Sequence, residues 1–354
     1  MKINTYKETG KNLSQFDLNN SLVGLKQEHK FLKKVHSQAL QNINQRISFA
    51  FNGFYNRVQK GEKPGFPRFK GKNRYESITY PQSGFSLEQK LYVSKIGKIN
   101  IVQHRAIEGQ IKTLTIRQTS TGKWFATFCA EQDKKKAFRN DFVMAGIDMG
   151  LYHFYADSLG KIADNPRCLR KSEQKLAYIQ KCHSRKKNGG KNKLKSRLKV
   201  ALVHEKISNQ RQDFLHKESR KLARLYSVIA VEKLTIRNMM QNRHLSKSIA
   251  DTAWNKFLQM LAYKVEETGG KLLKVNAQGT SQYCICGNEV KKTLAVRIHK
   301  CNKCGIWIDR DIMSAMMIKK VAINGTTAGS AGSNAWEDER ALFSMNQESL
   351  TSAI

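Results

Sequence analysis

Apolar residues between Leu22 and Tyr55 recur in steps of three and four, at Leu22, Leu25, Leu32, Val35, Ala39, Leu40, Ile43, Ile47, Phe51 and Phe54. Such spacing lines one face of a long helix or of a helical hairpin, with Gly24 as its weak point. The stretch Gly61–Pro67 (GEKPGFP) ends it. From Ser77 to Ala130 the pattern shortens to β-prone runs: ESITY, KLYVS, KINIV, TLTIR and WFATF. Pro81, Gly84, Gly97, Gly109 and Gly122 stand between them. Several short strands at this spacing predict a small barrel or sandwich, and the charged segment Glu131–Asp141 reads as the linker after it.

The second half alternates. An apolar run ends in Asp148, and a short strand at His153–Ala156 follows a glycine-containing turn. Residues 170–225 have a basic, helical pattern interrupted by Asn188-Gly189-Gly190. The strand SVIAVEKL carries Glu232 near its end. A helix over Ala253–Glu267 is stopped by Gly269-Gly270, and KLLKV makes a further strand. Strands alternating with helices predict an α/β fold here. The tail after Ile323, rich in small residues, is expected to be flexible.

Charge changes the picture more than length does. Lys and Arg total 63 of 354 residues against 28 acidic ones, a formal charge of +35. A chain so basic repels itself unless an anion neutralises it, which points to a polyphosphate partner. A membrane surface is the competing anion, but no apolar stretch approaches the roughly 18–20 residues a span needs. Met1–Ser14 also lacks the apolar core of a signal peptide, so a cytoplasmic location is expected. Lys181–Lys199 holds nine Lys or Arg in 19 positions and nothing acidic. Arg185, Lys186, Lys187 and Lys191 of this run are candidate phosphate contacts. Phe66 and Phe69 sit among Arg68, Lys70 and other cations. That mix suits stacking on nucleic acid, and equally suits an apolar anchor for the segment.

Three carboxylates stand out by position. Asp148 and Glu232 close apolar strands, and Asp311 opens the helical run DRDIMSAMMI. Acids at strand ends of an open α/β sheet lie where clefts form. Three of them gathered from distant segments repel one another unless Mg²⁺ or Mn²⁺ bridges them. Asp309 and Asp311 could instead both cap the helix they precede. Four of the seven cysteines cluster as Cys284-x-Cys286-Gly and Cys301-x-x-Cys304-Gly, the layout of a tetrahedral zinc ribbon. The first pair is one residue short, which makes His299 a possible replacement ligand. With every position filled by protein, such a zinc is structural.

Taken in order, GIDMG, AVEKL, the cysteine pairs and DRDIMSAM resemble the split RuvC-like nuclease domain of the TnpB/OrfB family of transposon-associated proteins, relatives of the type V CRISPR effectors. GFPRFK at Gly65–Lys70, the block His204–Leu234 and TSQYC at Thr280–Cys284 extend the likeness to most of the chain from about Tyr6. The resemblance implies an α/β, RNase H-like (RuvC-like) domain with an inserted zinc ribbon, preceded by a helical segment and a small β-barrel wedge domain. The corresponding divisions are 1–60 helical recognition, 61–140 wedge, 141–275 nuclease domain, 276–305 ribbon, 306–323 last helix and 324–354 tail. It further implies RNA-guided cleavage of double-stranded DNA, with a guide RNA from the transposon end as partner and Asp148, Glu232 and Asp311 as metal-binding catalytic triad. Base pairing then supplies most of the specificity. A bacterial or archaeal, nucleoid-associated protein is expected. Two departures join the short cysteine pair. A further wedge strand and helix of the family are not seen, so an open barrel is expected. Met313 replaces an Asn that could orient Asp311. These favour, as the alternative, a nuclease-impaired RNA-guided repressor.

Overall fold

The structure, a computed structural model, describes residues 2–328 apart from 72–73, 134–136, 138, 140, 277–281 and 294–295. It divides into two units, Met1–Lys135 and Lys136–Ile354.

The first unit opens with helices α1 (Lys2–Thr9), α2 (Gln15–Glu28) and α3 (Ser37–Gln59). A capping box starts α2: the Ser14 hydroxyl accepts from the Asp17 N–H at 3.2 Å, and the Asp17 carboxylate accepts from the Ser14 N–H at 2.8 Å. The apolar steps from Leu22 to Tyr55 therefore belong to a hairpin, broken by a 3₁₀ turn at Lys30–Lys34. The Asn44 amide donates to the Leu18 carbonyl at 2.9 Å and ties the two arms.

Six strands follow: β1 (Ser77–Tyr80), β2 (Phe85–Leu87), β3 (Leu91–Val93), β4 (Gly97–Ile99), β5 (Gln110–Gln118) and β6 (Trp124–Glu131). They form two antiparallel sheets, β1-β5-β6 and β2-β3-β4. Buried Tyr80, Leu91, Val93 and Leu114 from both sheets make one core. The described strands thus form a sandwich of two sheets, the other of the two architectures their spacing allowed. The expected division at residue 60 separates helices from strands inside one unit.

The second unit is built on a five-stranded sheet of order β11-β10-β7-β8-β9. Its strands are β7 (Met144–Met149), β8 (His153–Asp157), β9 (Ile162–Asp164), β10 (Val228–Glu232) and β11 (Lys271–Val275). β7, β10 and β11 run parallel, while β8 is antiparallel to β7 and β9 to β8. Between β9 and β10 lie α4 (Cys168–Ser184) and the 35-residue α5 (Lys191–Leu225). Arg139 ends α5 by donating to the carbonyls of Ala223, Arg224 and Tyr226 at 2.9–3.0 Å. Short α6 (Ile236–Met239) and α7 (Ser246–Thr252) lead into α8 (Trp254–Glu267).

Strand alternation assigns the faces. Ala145, Ile147 and Met149 of β7 join Ile229 and Val231 of β10 in a core covered by Leu215, Leu222, Trp254, Phe257 and Leu261 of α5 and α8. Met144 and Ala230 point the other way, against Ile318 and Ala322 of α9 (Arg310–Ala328). By the same parity Gly146, Asp148 and Glu232 belong to the α9 face. Gly146 is what lets α9 lie so close: a Cβ there would meet the Ala315 carbonyl oxygen at 2.1 Å and the Lys319 nitrogen at 2.6 Å.

A hairpin of β12 (Ile298–Lys300) and β13 (Trp307–Asp309) precedes α9 directly. The cysteine ribbon thus runs to Asp309 rather than 305, because its second strand follows the last cysteine. The final helix occupies Arg310–Ala328 rather than 306–323, and the rest of the expected tail lies outside the described residues. Among the described residues no helix is long and apolar enough to cross a membrane.

Gly146→Ala should cost about 3 kcal/mol in urea unfolding, because the added methyl meets backbone on α9. Gly24→Ala, in helix α2 with nothing within 4 Å of the added Cβ, should gain about 0.5–1 kcal/mol. Equal stability of the Gly146 variant and the parent would show that α9 is not held this tightly.

Candidate functional site

Asp148 lies one residue before the end of β7 and Glu232 ends the neighbouring parallel strand β10. The register pairs Val231 with Ile147, so the two acids follow side by side on the α9 face. Asp311 sits in the first turn of α9, below which Gly146 allows close approach. The three acids expected from the sequence are therefore brought to one end of one sheet face.

Their electrostatics follow from this convergence. Burial raises the Asp148 carboxyl to about 7, with the negative charges of Asp311 and Glu232 adding to the shift while Arg310 and Arg297 oppose it. Burial also raises Glu232. Asp311, mostly buried, accepts from the Arg297 guanidinium at 2.5 Å. That guanidinium in turn lies 4.7 Å from the ring centroid of Tyr152. Asp309 plays a different part: its carboxylate accepts from the Asp311 N–H at 2.7 Å, an N-cap for α9. Of the two acids that could both have been caps, one caps and the other faces Asp148 and Arg297.

Burial, with the charges of Asp311 and Glu232, holds Asp148 well above its ordinary range, and such a set of carboxylates suits hard divalent cations, which would bring it down again. Arg297 is the cation present at Asp311. Nothing local in the sequence marks Arg297, a single arginine in the segment VRIH, and the sequence pattern did not single it out.

The cysteines form the other cluster. Cys284, Cys286, Cys301 and Cys304 present sulfurs within 4.8 Å of one another, the only such group of three or more potential ligands among the described residues. Sulfur–sulfur distances are 3.5 Å for Cys284–Cys304 and 3.7 Å for Cys286–Cys301. Four thiolates about 2.3 Å from a tetrahedral zinc stand about 3.8 Å apart, so the set is compatible with structural zinc despite its short first pair. Backbone N–H groups lower the Cys301 thiol to about 6, and burial raises Cys284 to about 12. His299 is not among the clustered ligands. It is fully buried and its Nδ1 accepts from Lys292.

Met313 is 1% exposed and packs with Cys284, Cys301 and Met317 in the apolar floor beneath the ribbon. The side chain two residues after Asp311 thus packs under the cysteines in this chain. Of the aromatic–basic segment, Phe66 anchors edge-on to Phe51 and Phe54 of α3, at 5.9 and 5.4 Å. Phe69 is 92% exposed beside exposed Arg68 and Lys70. Phe66 therefore serves as the apolar anchor, while Phe69 is left open to solvent. Arg185, Lys186, Lys187 and Lys191 are exposed at the turn between α4 and α5.

The pattern of the family OrfB_IS605, described as "Probable transposase", matches residues 127–243, which include Asp148 and Glu232. That of "Cas12f1-like, TNB domain" matches residues 254–318, which include the four cysteines, Arg297 and Asp311. A Streptomyces pristinaespiralis protein named "Putative RNA-guided DNA endonuclease" is 32% identical over 311 residues, covering 86% of this chain and 76% of that one. InsQ of Escherichia coli (strain K12), which bears the same designation, is 29% identical over 284 residues, covering 75% and 69%. A solved chain of the Cas12f1–sgRNA–target DNA complex is similar at a TM-score of 0.48 and 13% identity, over 80% of this chain and 70% of that one.

A carboxyl held near 7 keeps a proton that the unfolded chain releases near 4. The folded state therefore binds more protons between about pH 4 and 7, and stability is lost as pH rises through that window. In chelator-treated protein, Asp148→Asn should flatten this loss and raise stability at pH 8 by about 1–3 kcal/mol, read by thermal melts across pH. A variant that follows the parent's pH dependence would contradict the crowding of charge assigned to Asp148.

Proposed function

We propose, from the premise that this chain belongs to the TnpB/OrfB family, that it is an RNA-guided endonuclease which cuts double-stranded DNA by metal-dependent phosphodiester hydrolysis. The observation that carries this reading is the convergence of Asp148, Glu232 and Asp311 at the end of one sheet face. The relatives' designation supplies the reaction class. A mixed sheet with helices on both faces and acids at the ends of adjacent central strands supports an RNase H-like, RuvC-like domain. The sandwich of the first unit is assigned as the wedge domain and its helices as the recognition segment.

In this site Asp148, Glu232 and Asp311 hold the divalent ions, Mg²⁺ or Mn²⁺. Two such ions, when bound, activate water and stabilise the leaving oxygen of the phosphodiester. Asp309 fixes the first turn of α9 and so the direction of the Asp311 carboxylate. Arg297 brings a planar guanidinium to the same place, a fork matched to phosphate oxygens. Tyr152 beneath that guanidinium limits where it can turn. The four cysteines hold zinc and thereby fix the hairpin that presents Arg297 and leads into α9. The partners are a guide RNA from the transposon end and the target duplex, with Phe69, Arg68 and Lys70 placed to stack on and neutralise a strand. Phe66 keeps that segment on α3.

Given a matched guide RNA and target, cleavage should require Mg²⁺ or Mn²⁺ and should fall by at least about 10³-fold in Asp148→Ala, Glu232→Ala and Asp311→Ala. Binding of the target should survive all three, since base pairing and basic contacts carry affinity. Asp309→Ala should cost only the cap, about 1 kcal/mol of stability, with a smaller loss of rate. Cutting that persists after Asp148→Ala would overturn the assignment. Metal analysis should find one zinc per chain, absent after Cys301→Ser, and zinc-free protein from a chelator-free purification would exclude the ribbon assignment.

A further inference from the structure

The α4–α5 hairpin has more length than its part in the core requires. At a 1.5 Å rise its longer helix spans about 52 Å. Only the C-terminal part of α5, through Leu215, Leu222 and Ala223, enters the sheet core. At the root of the hairpin Arg211 meets Asp251 at 2.5 Å, Asp251 accepts from the Leu169 N–H at the start of α4, and Lys247 of α7 pairs with Glu173 of α4. This root lies toward the end of the sheet that carries the acids: Asn165, just before α4, donates to the Leu151 carbonyl, just past β7, at 3.0 Å. Beyond the root, α4 and α5 pack on each other through Leu176, Ile207, Val200 and Val203. Lys191 is twenty residues before Arg211 along α5, which puts the hairpin tip about 30 Å out from the root.

The tip carries an open concavity of about 480 Å³ whose lining includes Arg185, Lys186, Lys187, Lys191, Lys193 and Lys195. Lys193 donates to the His183 carbonyl at 2.8 Å. Among the described residues none of the six has a carboxylate partner. Six cations around one concavity repel one another and focus a positive potential there, a cost to the free protein that several phosphates in a row would remove. The projection of about 30 Å compares with the ~34 Å of one duplex turn.

We propose that the α4–α5 hairpin is an arm whose tip grips a phosphodiester backbone about one helical turn from the carboxylate site. The inference rests on the nucleic-acid reading above and adds where the chain is held. Guide RNA and target DNA offer the same phosphates, and the experiment separates them. Hydroxyl-radical footprints are taken with full-length protein carrying its co-purified RNA, alone and with a duplex matched to that RNA. The parent is compared with the triple variant Lys186→Gln, Lys187→Gln, Lys191→Gln. The variant should lose one patch of protection about ten base pairs from the cut and keep the rest. Its salt slope, log K against log[salt], should fall by about 2–3. Loss on the RNA or on the DNA strand names the occupant. Restoring charge with Lys186→Arg, Lys187→Arg, Lys191→Arg should return both patch and slope, which a folding defect would not produce. An unchanged footprint and slope, or protection lost only beside the cut, would overturn the arm. A parent protein that protects neither RNA nor DNA would instead overturn the nucleic-acid reading, and the arm with it.

Discussion

The seat of α9 on β7 decides what the rest of the second unit can do. Gly146 leaves no side chain between strand and helix, and a Cβ would strike the Ala315 carbonyl oxygen at 2.1 Å. Only because the helix lies that low does its first turn bring Asp311 close enough to raise Asp148 through its charge. The glycine, the acid two residues later on the same face, and the helix cap at Asp309 are three parts of one arrangement. Moving the helix outward by the width of a methyl would separate the acids and loosen Ile318 and Ala322 from Met144 and Ala230.

That arrangement costs stability in the metal-free protein. Asp148 and Glu232 are both shifted upward, and burial is the first cause for each. Arg297, reaching from the cysteine-bound hairpin to Asp311, offsets part of the charge. The ribbon is thus coupled to the acids twice, through Arg297 and through β13, which runs straight into α9. Its core, with Met313 and Met317 of α9 beneath Cys284 and Cys301, is shared with the helix. A change at the cysteines is therefore expected to reach the carboxylates.

Much of this was legible in the sequence, for physical reasons that differ by element. Asp148 and Glu232 stand out because each closes an apolar strand, where clefts form in an open α/β sheet, and the cysteine pairs because two short-range coincidences fall in one window. The hairpin in the first unit was left open between one helix and two, because Leu32 and Val35 continue the apolar steps across the break at Lys30–Lys34. Strands β2 and β9 do not show in the pattern, since Phe85–Leu87 and Ile162–Asp164 lack the longer β-prone runs, KLYVS and KINIV, that mark the equally short β3 and β4. Arg297 and Tyr152 could not have been found: their pairing depends on a hairpin folding back over a turn that lies far away in sequence. The packing of Met313 against the floor of the ribbon depends on the fold and has no mark in the local sequence.

The central claim is that the acids of β7, β10 and α9 form one site for divalent cations. Anomalous scattering from Mn²⁺ tests it directly, in crystals of the protein with its RNA and an uncleavable target. The account predicts manganese peaks within coordination distance of Asp148, Glu232 and Asp311 together, with Arg297 no longer paired to Asp311. Manganese bound elsewhere, or absent from these three carboxylates with the target in place, would contradict it.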